Sequence, residues 1–397
     1  MRRLAPLLST TLDRQALDIA RAARSTLTVV AAGSTVAAWE QRFRQWLGRG
    51  HVRAFGSGRG ALLMVARALE LGPGAGVIVP AFTCQSVINA LRYAGAEPQY
   101  ADIETDAFGL DVDATRAAIT PSTRAILLQH TFGLIGRDVD ALRSLARERG
   151  LLIIEDCAHA LGADWRGELA GCLGDAAIFS LERGKVLTTV HGGMAVVHDA
   201  AAAERLDRLA DRASLPPLPQ VRAQLDSLEH DYWTLVGDDP DQADWARSQL
   251  GDQLVPRMWP EEYSGDYCVH YEERMSDPIA AIAASQFERL DEVLARRRAQ
   301  AGAWQAWASS TGMPTARVTA GSQPAWLRFP VWVDARLKAD PAPLEELLGV
   351  EVGVWFLSPS HPVPSVQAGC PRGMAACERL INLPTLLPAG HPRGPAD

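Results

Sequence analysis

The sequence predicts an α/β protein: a mostly parallel β-sheet flanked by helices, followed by a smaller C-terminal α+β domain. The main observation is that short apolar segments alternate with amphipathic segments between Val77 and Arg212. This order is typical of parallel strands joined by helical crossovers, which cover both faces of the sheet. The second observation is the length of 397 residues with 47% hydrophobic side chains, enough for two domains with a sizeable core.

Composition excludes several classes of partner. The net charge of -8 and the pI near 5.7 argue against nucleic acid, because phosphate backbones need a concentrated basic surface. Pro6 interrupts the apolar run Leu4–Leu8, and polar residues interrupt Leu71–Leu91, so we expect neither a signal peptide nor a membrane helix. The six cysteines lack CxxC pairing and metal-like spacing. We therefore expect reduced thiols, no metal site and a cytoplasmic location.

The N-terminal part predicts two amphipathic helices, Thr11–Arg24 and Thr35–Leu47, with apolar residues at helical spacing. A glycine-rich turn, Gly56–Gly60, then opens a third helix. Such a turn exposes N–H groups at the positive end of a helix dipole and suits a phosphate. Ser57 is equally well suited to cap the helix and do nothing more, and the sequence leaves both interpretations open.

The alternating block predicts the core of the sheet. Its strands are Val77–Val79, Glu97–Ile103, Ala125–His130, two apolar segments that end at Asp156 and Ser180, and Met194–His198; its helices are Gln85–Ala94, Asp113–Ile119, Val139–Arg149 and Ala200–Arg212. Ligands of parallel sheets bind at the carboxyl ends of the strands. We therefore expect His130, Asp156 and Ser180 to converge on one crevice.

After Ser214 the composition changes to a proline-rich segment, which predicts an irregular or helical insertion. An Asp-Pro signal then starts what the pattern predicts to be one long helix, Asp277–Trp307. Strands are expected at Trp326–Val333 and Glu351–Trp355, and helices at Pro341–Leu348 and Gly373–Leu380. The predicted divisions are an N-terminal helical segment (1–50), a large domain (51–213), an insertion (214–265), and a linking helix with the small domain (266–397).

The stretch Leu151–Gly193 contains the strongest chemical signal. A lone lysine, Lys185, lies in a glycine-flanked turn five residues after Ser180. Most lysines are solvated surface residues, but an amine beside a sheet edge also suits a Schiff base. Asp156 ends an apolar strand, where a carboxylate needs a cationic partner such as a protonated pyridine. The lysine, the aspartate and the glycine turn together describe a pyridoxal phosphate site.

On these residues the chain resembles the DegT/StrS family of sugar aminotransferases. The segments that carry the resemblance include GVIVPAFTCQSVINALRYAGAEP, IIEDCAHALGADWRG, GCLGDAAIFSLERGKVLTTVHGG and RMSDPIAAIAASQFERLDEVLARRR. It extends from about Gly33 to Pro384. The resemblance implies the aspartate aminotransferase fold (fold type I), pyridoxal 5'-phosphate as cofactor, and a homodimer.

The resemblance also assigns roles to individual residues. Lys185 matches the Schiff-base lysine, and Asp156 matches the aspartate on the pyridine nitrogen. His159 matches the residue against the cofactor ring, and Ser180 a serine that holds the phosphate. The turn Ser57-Gly58-Arg59 matches the phosphate loop. Relatives that dehydrate sugars have histidine at the position of Lys185, so the lysine favours transamination.

Several positions depart from the family pattern. Arg59 replaces a threonine, and we favour its reaching the phosphate over its pointing to solvent. Gly60 replaces an alanine. Cys84 replaces an aromatic residue on the cofactor, so the ring is covered by Cys84 itself, by Phe82 or by His159, of which we favour His159.

Three further departures lie near the lysine or concern the partner subunit. Val186 replaces an asparagine. His191 replaces a glutamate and is predicted, with Phe82, to line the substrate pocket. Glu272 replaces an asparagine that reaches the partner's phosphate, and its charge would repel that phosphate.

The predicted activity is transfer of an amino group from an amino acid, by family habit glutamate, to a keto group of a nucleotide-linked ketosugar, in sugar biosynthesis or secondary metabolism. The substituted positions leave two alternatives open. One is another reaction of the same cofactor, an elimination or a condensation. The other is a cofactor-binding regulatory protein without catalysis, against which the presence of both Lys185 and Asp156 argues.

Overall fold

The computed structural model describes residues 4–8, 11–388 and 391–394, which form two compact units. The first unit comprises the residues up to Leu7, Leu71–Ala177 and those from Leu294 onwards; the second comprises Leu8–Glu70 and Ile178–Val293. The boundary falls inside one strand, between Ala177 and Ile178. The domain divisions expected from the sequence stay a prediction.

The helices of the described residues confirm most of the predicted ones. They are α1 (Arg14–Thr26), α2 (Ser34–Leu47), α3 (Gly58–Ala68), α4 (Gln85–Ala94), α5 (Val112–Ala118), α6 (Val139–Arg149), α7 (Ala200–Arg212), α8 (Leu218–Asp231), α9 (Pro240–Leu250), α10 (Pro260–Ser264), α11 (Asp277–Phe287), α12 (Leu290–Thr311), α13 (Ala335–Ala339), α14 (Ala342–Leu348) and α15 (Pro371–Arg379). A π-helical turn, Tyr232–Val236, follows α8. None of the described helices is both long and apolar enough to cross a membrane.

The strands are mostly short and apolar. They are β1 (His51–Phe55), β2 (Gly76–Pro80), β3 (Thr83–Cys84), β4 (Glu97–Ala101), β5 (Thr123–Gln129), β6 (Leu152–Asp156), β7 (Asp164–Trp165), β8 (Glu168–Leu169), β9 (Ala176–Ser180), β10 (Gly193–Val197), β11 (Ser322–Gln323), β12 (Arg328–Trp332), β13 (Ser360–His361) and β14 (Leu380–Pro384).

The first unit contains the parallel part of the sheet, in the order β9-β6-β5-β2-β4, of which β9 contributes its first two residues. The pairs β2–β4, β2–β5 and β5–β6 are parallel. Every residue of β2 is buried, as expected for a strand covered on both faces. The register places Gln129 opposite Asp156, so the carboxyl ends of β5 and β6 lie side by side. The predicted parallel α/β arrangement is confirmed.

The first unit also contains the C-terminal α+β elements. Strands β12 and β14 form an antiparallel pair, from Arg328 opposite Pro384 to Trp332 opposite Leu380. Their apolar residues join a core in which Trp304 of α12 is 1% exposed and Phe329 is also 1% exposed. Burial of these large side chains stabilises the pair, which would be marginal alone.

In the second unit the strand order is β1-β10-β9, and β1 is antiparallel to β10. Helix α2 packs its apolar face inward: Trp39 and Phe43 are 1% and 0% exposed. The Trp39 ring lies 5.2 Å from that of Phe287 in α11, in an edge-to-face arrangement. The spacing of apolar residues in α2 predicted this buried face.

Three sequence expectations need correction. The predicted helix Asp277–Trp307 is two helices, α11 and α12, because Arg289 N–H bonds to the Gln286 carbonyl three residues back and its side chain is anchored on Thr11. The predicted strand Glu351–Trp355 is not formed, since only Gly353 pairs, as a single bridge with Asn382. Strand β1 was not predicted, because its polar residues obscure the apolar pattern. The insertion after Ser214 is largely helical, which was one of the two alternatives.

Candidate active site

In the second unit, Lys185 lies in a tight turn between β9 and β10. Its backbone N–H donates to the Glu182 carbonyl at 3.1 Å. Gly184 has φ +74°, a conformation that L-residues with side chains rarely adopt, so the turn needs glycine at this position. The sequence had singled out this lysine in its glycine turn, and the structure fixes the backbone on both sides of it.

Two glutamine side chains clamp the loop that carries Lys185. Gln224 of α8 donates from Nε2 to the carbonyls of Thr189, at 2.8 Å, and His191, at 2.6 Å. Gln286 of α11 donates to the Thr188 carbonyl at 2.5 Å. Both amides are buried. Because buried carbonyls need donors, these glutamines position the loop.

The glycine turn predicted as a phosphate site meets the ends of β9 and β10. Ser57 caps α3, accepting from Gly60 N–H at 3.0 Å. A Cβ on Gly58 would lie 2.7 Å from Cβ of Ser180, and one on Gly193 would overlap the Ser57–Gly58 backbone. The first N–H groups of α3 have no partner within the helix, and the Ser180 hydroxyl lies beside them. This arrangement also fits a phosphate.

Arg59 differs from the expectation that it reaches a phosphate. Its Nη1 donates to both carboxylate oxygens of Glu262, at 2.6 and 2.5 Å, and its Nη2 donates to the Arg257 carbonyl at 2.8 Å. Burial, the largest influence, lowers the pKa of Arg59, but the charge and hydrogen bonds of Glu262 together with Tyr271 and Glu182 outweigh burial and raise it. Arg59 therefore anchors the segment around Glu262. Gly60 is needed nearby, since a Cβ there would lie 2.6 Å from the Tyr271 carbonyl oxygen.

Glu272, where the family pattern has an asparagine, is paired within the chain. It accepts from Arg67 Nη1 at 2.7 Å and from the Tyr267 hydroxyl. Burial would raise the pKa of Glu272, but these two hydrogen bonds outweigh burial and lower it. Its charge is thus partly neutralised by Arg67.

His191 is 6% exposed and borders a small cavity shared with Ser57, Arg59 and Trp259. Its Nε2 has no hydrogen-bond partner among the described residues. Burial, and then the charges of Arg59 and Arg183, hold the pKa of His191 well below its usual value. The imidazole is therefore neutral at physiological pH. Its position beside Ser57 agrees with a role in the pocket, which stays a prediction.

In the first unit, Asp156 and His159 follow β6. Asp156 is 6% exposed and accepts from Ala158 N–H at 3.0 Å. His159 accepts from the Phe132 N–H through Nδ1 at 3.1 Å, so a neutral ring carries its proton on Nε2. The His159 ring is nearly parallel to those of Phe132 and Phe356. The backbone thus orients both side chains.

Glu155, the neighbour of Asp156, is structural. It is 0% exposed and accepts from the backbone N–H groups of Gly171, Leu173 and Gly174, at 2.6–2.9 Å. The His130 Nε2 lies 3.0 Å from Oε2 of Glu155, the oxygen that also accepts from Gly171. At the strand ends, His130 therefore contacts Glu155. Glu155 anchors a loop, and the predicted role of its neighbour Asp156 stays a prediction.

Cys84 and Phe82, two of the three residues considered for the cofactor face, differ in accessibility. Cys84 is partly exposed, with Sγ 3.3 Å from the Ser86 hydroxyl. Phe82 is 0% exposed and packs edge-on against Phe356 at 5.0 Å. Phe82 belongs to the apolar core, and its expected place in the substrate pocket stays a prediction. All six cysteines are free thiols.

Sequence reasoning missed Gln224, Gln286 and Glu262, which act from distant parts of the chain. Glu262 is 0% exposed, and Gln286 is 0% exposed as well. Neither glutamine stands in a motif, and only the apolar periodicity of the surrounding helix indicates that Gln286 is buried.

Comparisons with known proteins agree with this geometry. The sequence profile of the DegT/DnrJ/EryC1/StrS aminotransferase family matches residues 12–226 and 234–388. GDP-perosamine synthase of Caulobacter vibrioides is 33% identical over 291 residues, which cover 73% of this chain and 66% of that protein, just under two thirds of its length. UDP-N-acetyl-3-dehydro-alpha-D-glucosamine 3-aminotransferase of Acidithiobacillus ferrooxidans is 28% identical over 333 residues, which cover 83% of this chain and 77% of that protein.

Among solved structures, DesI determined in the presence of its TDP-sugar product is similar, with a TM-score of 0.72 and 25% identity. The similarity covers 97% of this chain and 88% of DesI. The match of the family profile to most of the sequence agrees with the fold and with the Lys185 turn. The chain belongs to the DegT/DnrJ/EryC1/StrS aminotransferase family.

Proposed function

We propose that the protein is a pyridoxal-phosphate-dependent aminotransferase that moves an amino group from glutamate to the keto group of a nucleotide-linked sugar. The observation that carries this proposal is in the second unit, where the clamped Lys185 turn follows the strand whose last residue, Ser180, packs on the Ser57–Gly58 helix start. This cofactor requires an amine and, near it, a group of donors for its phosphate. Ser180 belongs to the proposed phosphate site and is only five residues before Lys185.

The residues present fit the cofactor. The first turn of α3, with Gly58 and the Ser180 hydroxyl, would hold its phosphate. Asp156 would hold its ring nitrogen, and His159, oriented by the Phe132 N–H, would lie against its ring. Lys185 would hold it covalently. Bound pyridoxal phosphate supplies an electron-accepting ring that stabilises negative charge at the substrate carbon.

The chain itself contributes positioning and proton transfer. The Lys185 amine would carry the proton at the substrate carbon, which needs a group whose position is fixed within hydrogen-bond reach. Gln224 and Gln286 fix the loop that carries this amine. The neutral His191 adds no charge to its cavity beside Ser57.

The names of the relatives support the choice of acceptor, since they refer to GDP- and UDP-linked sugars and to a TDP-sugar product. The choice of glutamate rests on family resemblance alone. By the same resemblance we propose a homodimer, and from the six cysteines, which are thiols rather than disulfides, we propose a location in the cytoplasm. In that dimer the Arg67–Glu272 pair would take the place of the asparagine that other members direct to the partner's phosphate.

The half-reaction with glutamate tests the proposal without knowledge of the acceptor. Purified protein loaded with pyridoxal phosphate is mixed with excess L-glutamate. We expect one equivalent of 2-oxoglutarate per subunit and loss of the visible absorbance of the loaded enzyme, with D-glutamate as control. Absence of 2-oxoglutarate with L-glutamate would contradict the proposal for this donor, and absence with all amino acids would favour an elimination or condensation enzyme.

A further inference from the structure

A cavity of about 310 Å³ lies in the second unit beside the loop that carries Lys185. Gly184 and Thr188 of that loop line it. Asp231 at the end of α8, together with Leu254 and Arg257 later in the insertion, also lines it. The volume falls in the range of small-molecule sites. Neither the family resemblance nor the proposed chemistry assigns a ligand to it.

Arg183 contributes an incompletely paired guanidinium to this cavity. Its side chain is 9% exposed. Its Nε donates to Asp231 Oδ2 at 2.8 Å, and its Nη1 donates to the Val255 carbonyl at 2.8 Å. Its Nη2 is buried and has no partner among the described residues. Since a guanidinium stays charged and donates from all three nitrogens, the buried Nη2 calls for an acceptor from a ligand.

The charge of the cavity favours an anion. Arg257 is exposed at its rim, and its backbone is fixed by the hydrogen bond from Arg59 to its carbonyl. The carboxylate in the lining, Asp231, is engaged by Arg183 and lies 3.2 Å from Nδ1 of His230. Two arginines thus face one carboxylate that is already paired. Planar guanidinium groups bind phosphate through parallel hydrogen bonds.

The remaining lining is mixed: Thr188, His230 and Thr234 are polar, and an apolar part is formed by Leu8, Leu235, Leu254 and Val255. A free inorganic anion would leave these apolar side chains without a contact, whereas a phosphate attached to an organic body would use both parts. The volume also exceeds what a single carboxylate needs. These features favour a phosphate ester of appreciable size.

We propose that this cavity binds the phosphate-bearing end of the keto acceptor, with Arg183 and Arg257 as its phosphate ligands. The inference rests on the proposed function, because it names the acceptor's second attachment point. The loop that presents Lys185 to the keto group would then also contact the phosphate through Arg183, so acceptor binding and amine position would depend on one loop.

The test uses the loaded enzyme and calorimetric titration with UDP, GDP and dTDP, with uridine, guanosine and thymidine as partners lacking phosphate. We expect at least one diphosphate to bind, about tenfold or more tighter than its nucleoside. Arg257→Ala should weaken that binding about tenfold, and Arg183→Met should weaken it further. The control is Arg247→Ala, an exposed arginine of α9 paired with Asp244, which should leave the affinity unchanged.

A second variant guards against misfolding of the Arg183 variant. Leu254→Trp fills the cavity without removing either arginine and should also weaken diphosphate binding. The inference is overturned if no diphosphate binds while the wild-type half-reaction with glutamate proceeds, which would leave the proposed function intact. It is also overturned if Arg247→Ala weakens binding as much as Arg257→Ala does. A third contrary outcome is that the Arg257 variant loses affinity for glutarate and not for diphosphates, because the cavity would then bind the amino donor.

Discussion

The Asp156 region of the first unit and the Lys185 region of the second are held by different kinds of interaction. Around Asp156, the neighbouring Glu155 binds three backbone N–H groups of a loop fewer than twenty residues away in sequence. Around Lys185, the loop is held by the side chains of Gln224 and Gln286, which are 33 to 98 residues away. The first region depends on local backbone geometry, and the second on long-range packing of helices.

This difference suggests which region tolerates change. A carboxylate surrounded by backbone donors has no substitute of the same shape and charge, because its donors cannot move away. An amide that reaches a carbonyl from another helix can be lost while the loop partly relaxes or binds water. We therefore expect mutations near Asp156 to affect folding, and mutations near Lys185 to affect activity more than folding.

The largest effect on activity is expected for Lys185→Ala. Loss of the amine removes both the covalent attachment of the cofactor and the proton carrier, so turnover should fall by about 10³-fold or more. Steady-state kinetics and the visible absorption spectrum measure both losses. Thermal unfolding should be little changed, since the turn depends on Gly184. A variant that retains normal transamination would refute the assignment of Lys185.

The largest effect on stability is expected for Glu155→Gln. The new NH₂ group would face N–H donors, and the loop Gly171–Gly174 would lose its charged acceptor. We expect a loss of about 2–4 kcal/mol in the free energy of unfolding, measured by denaturant titration. The control, Glu168→Gln, removes a carboxylate that is 35% exposed and should cost little. Equal losses in the two variants would remove the proposed contrast.

A smaller effect is expected for Gln224→Ala, which removes the two hydrogen bonds from the Gln224 amide to the Thr189 and His191 carbonyls, while the Thr189 hydroxyl still donates to the latter. The free energy of unfolding should fall by about 1–2 kcal/mol. Turnover should fall by about tenfold, because Lys185 is held less firmly. The control is Gln249→Ala, an exposed glutamine of α9. If the free energy of unfolding falls more in Gln224→Ala than in Glu155→Gln, the two regions do not differ as we infer.

The smallest effect concerns pH and His191. Its pKa is depressed in the folded state, so below the unfolded value of about 6.5 the unfolded chain takes up a proton that the folded chain does not. Stability should therefore fall as pH decreases from 6.5, by up to about 1.4 kcal/mol per pH unit from this group. His191→Asn should be less sensitive between pH 6.5 and about 5. Parallel stability profiles for wild type and variant would show that His191 is protonated when folded.

Much of the fold was predictable, for particular reasons. The alternation of apolar segments with helices predicted β2, β5 and β6 because strands buried on both faces are largely apolar runs. The helix Asp277–Trp307 was predicted too long because its interruption depends on the contact of Arg289 with Thr11, which no local pattern records. Strand β1 was missed since it lies at the end of the strand order, where alternate residues stay polar.

The sequence by itself was enough to identify candidate site residues, because glycines in turns and polar residues at strand ends meet local requirements of the backbone. Lys185, Asp156 and Ser57 were recognisable on that basis. Only the tertiary structure decided the roles of their neighbours. It placed Phe82 in the core, paired Arg59 with Glu262, and brought Gln224 to the Lys185 loop. Such partners are chosen by packing between distant segments, so short sequence patterns carry no record of them.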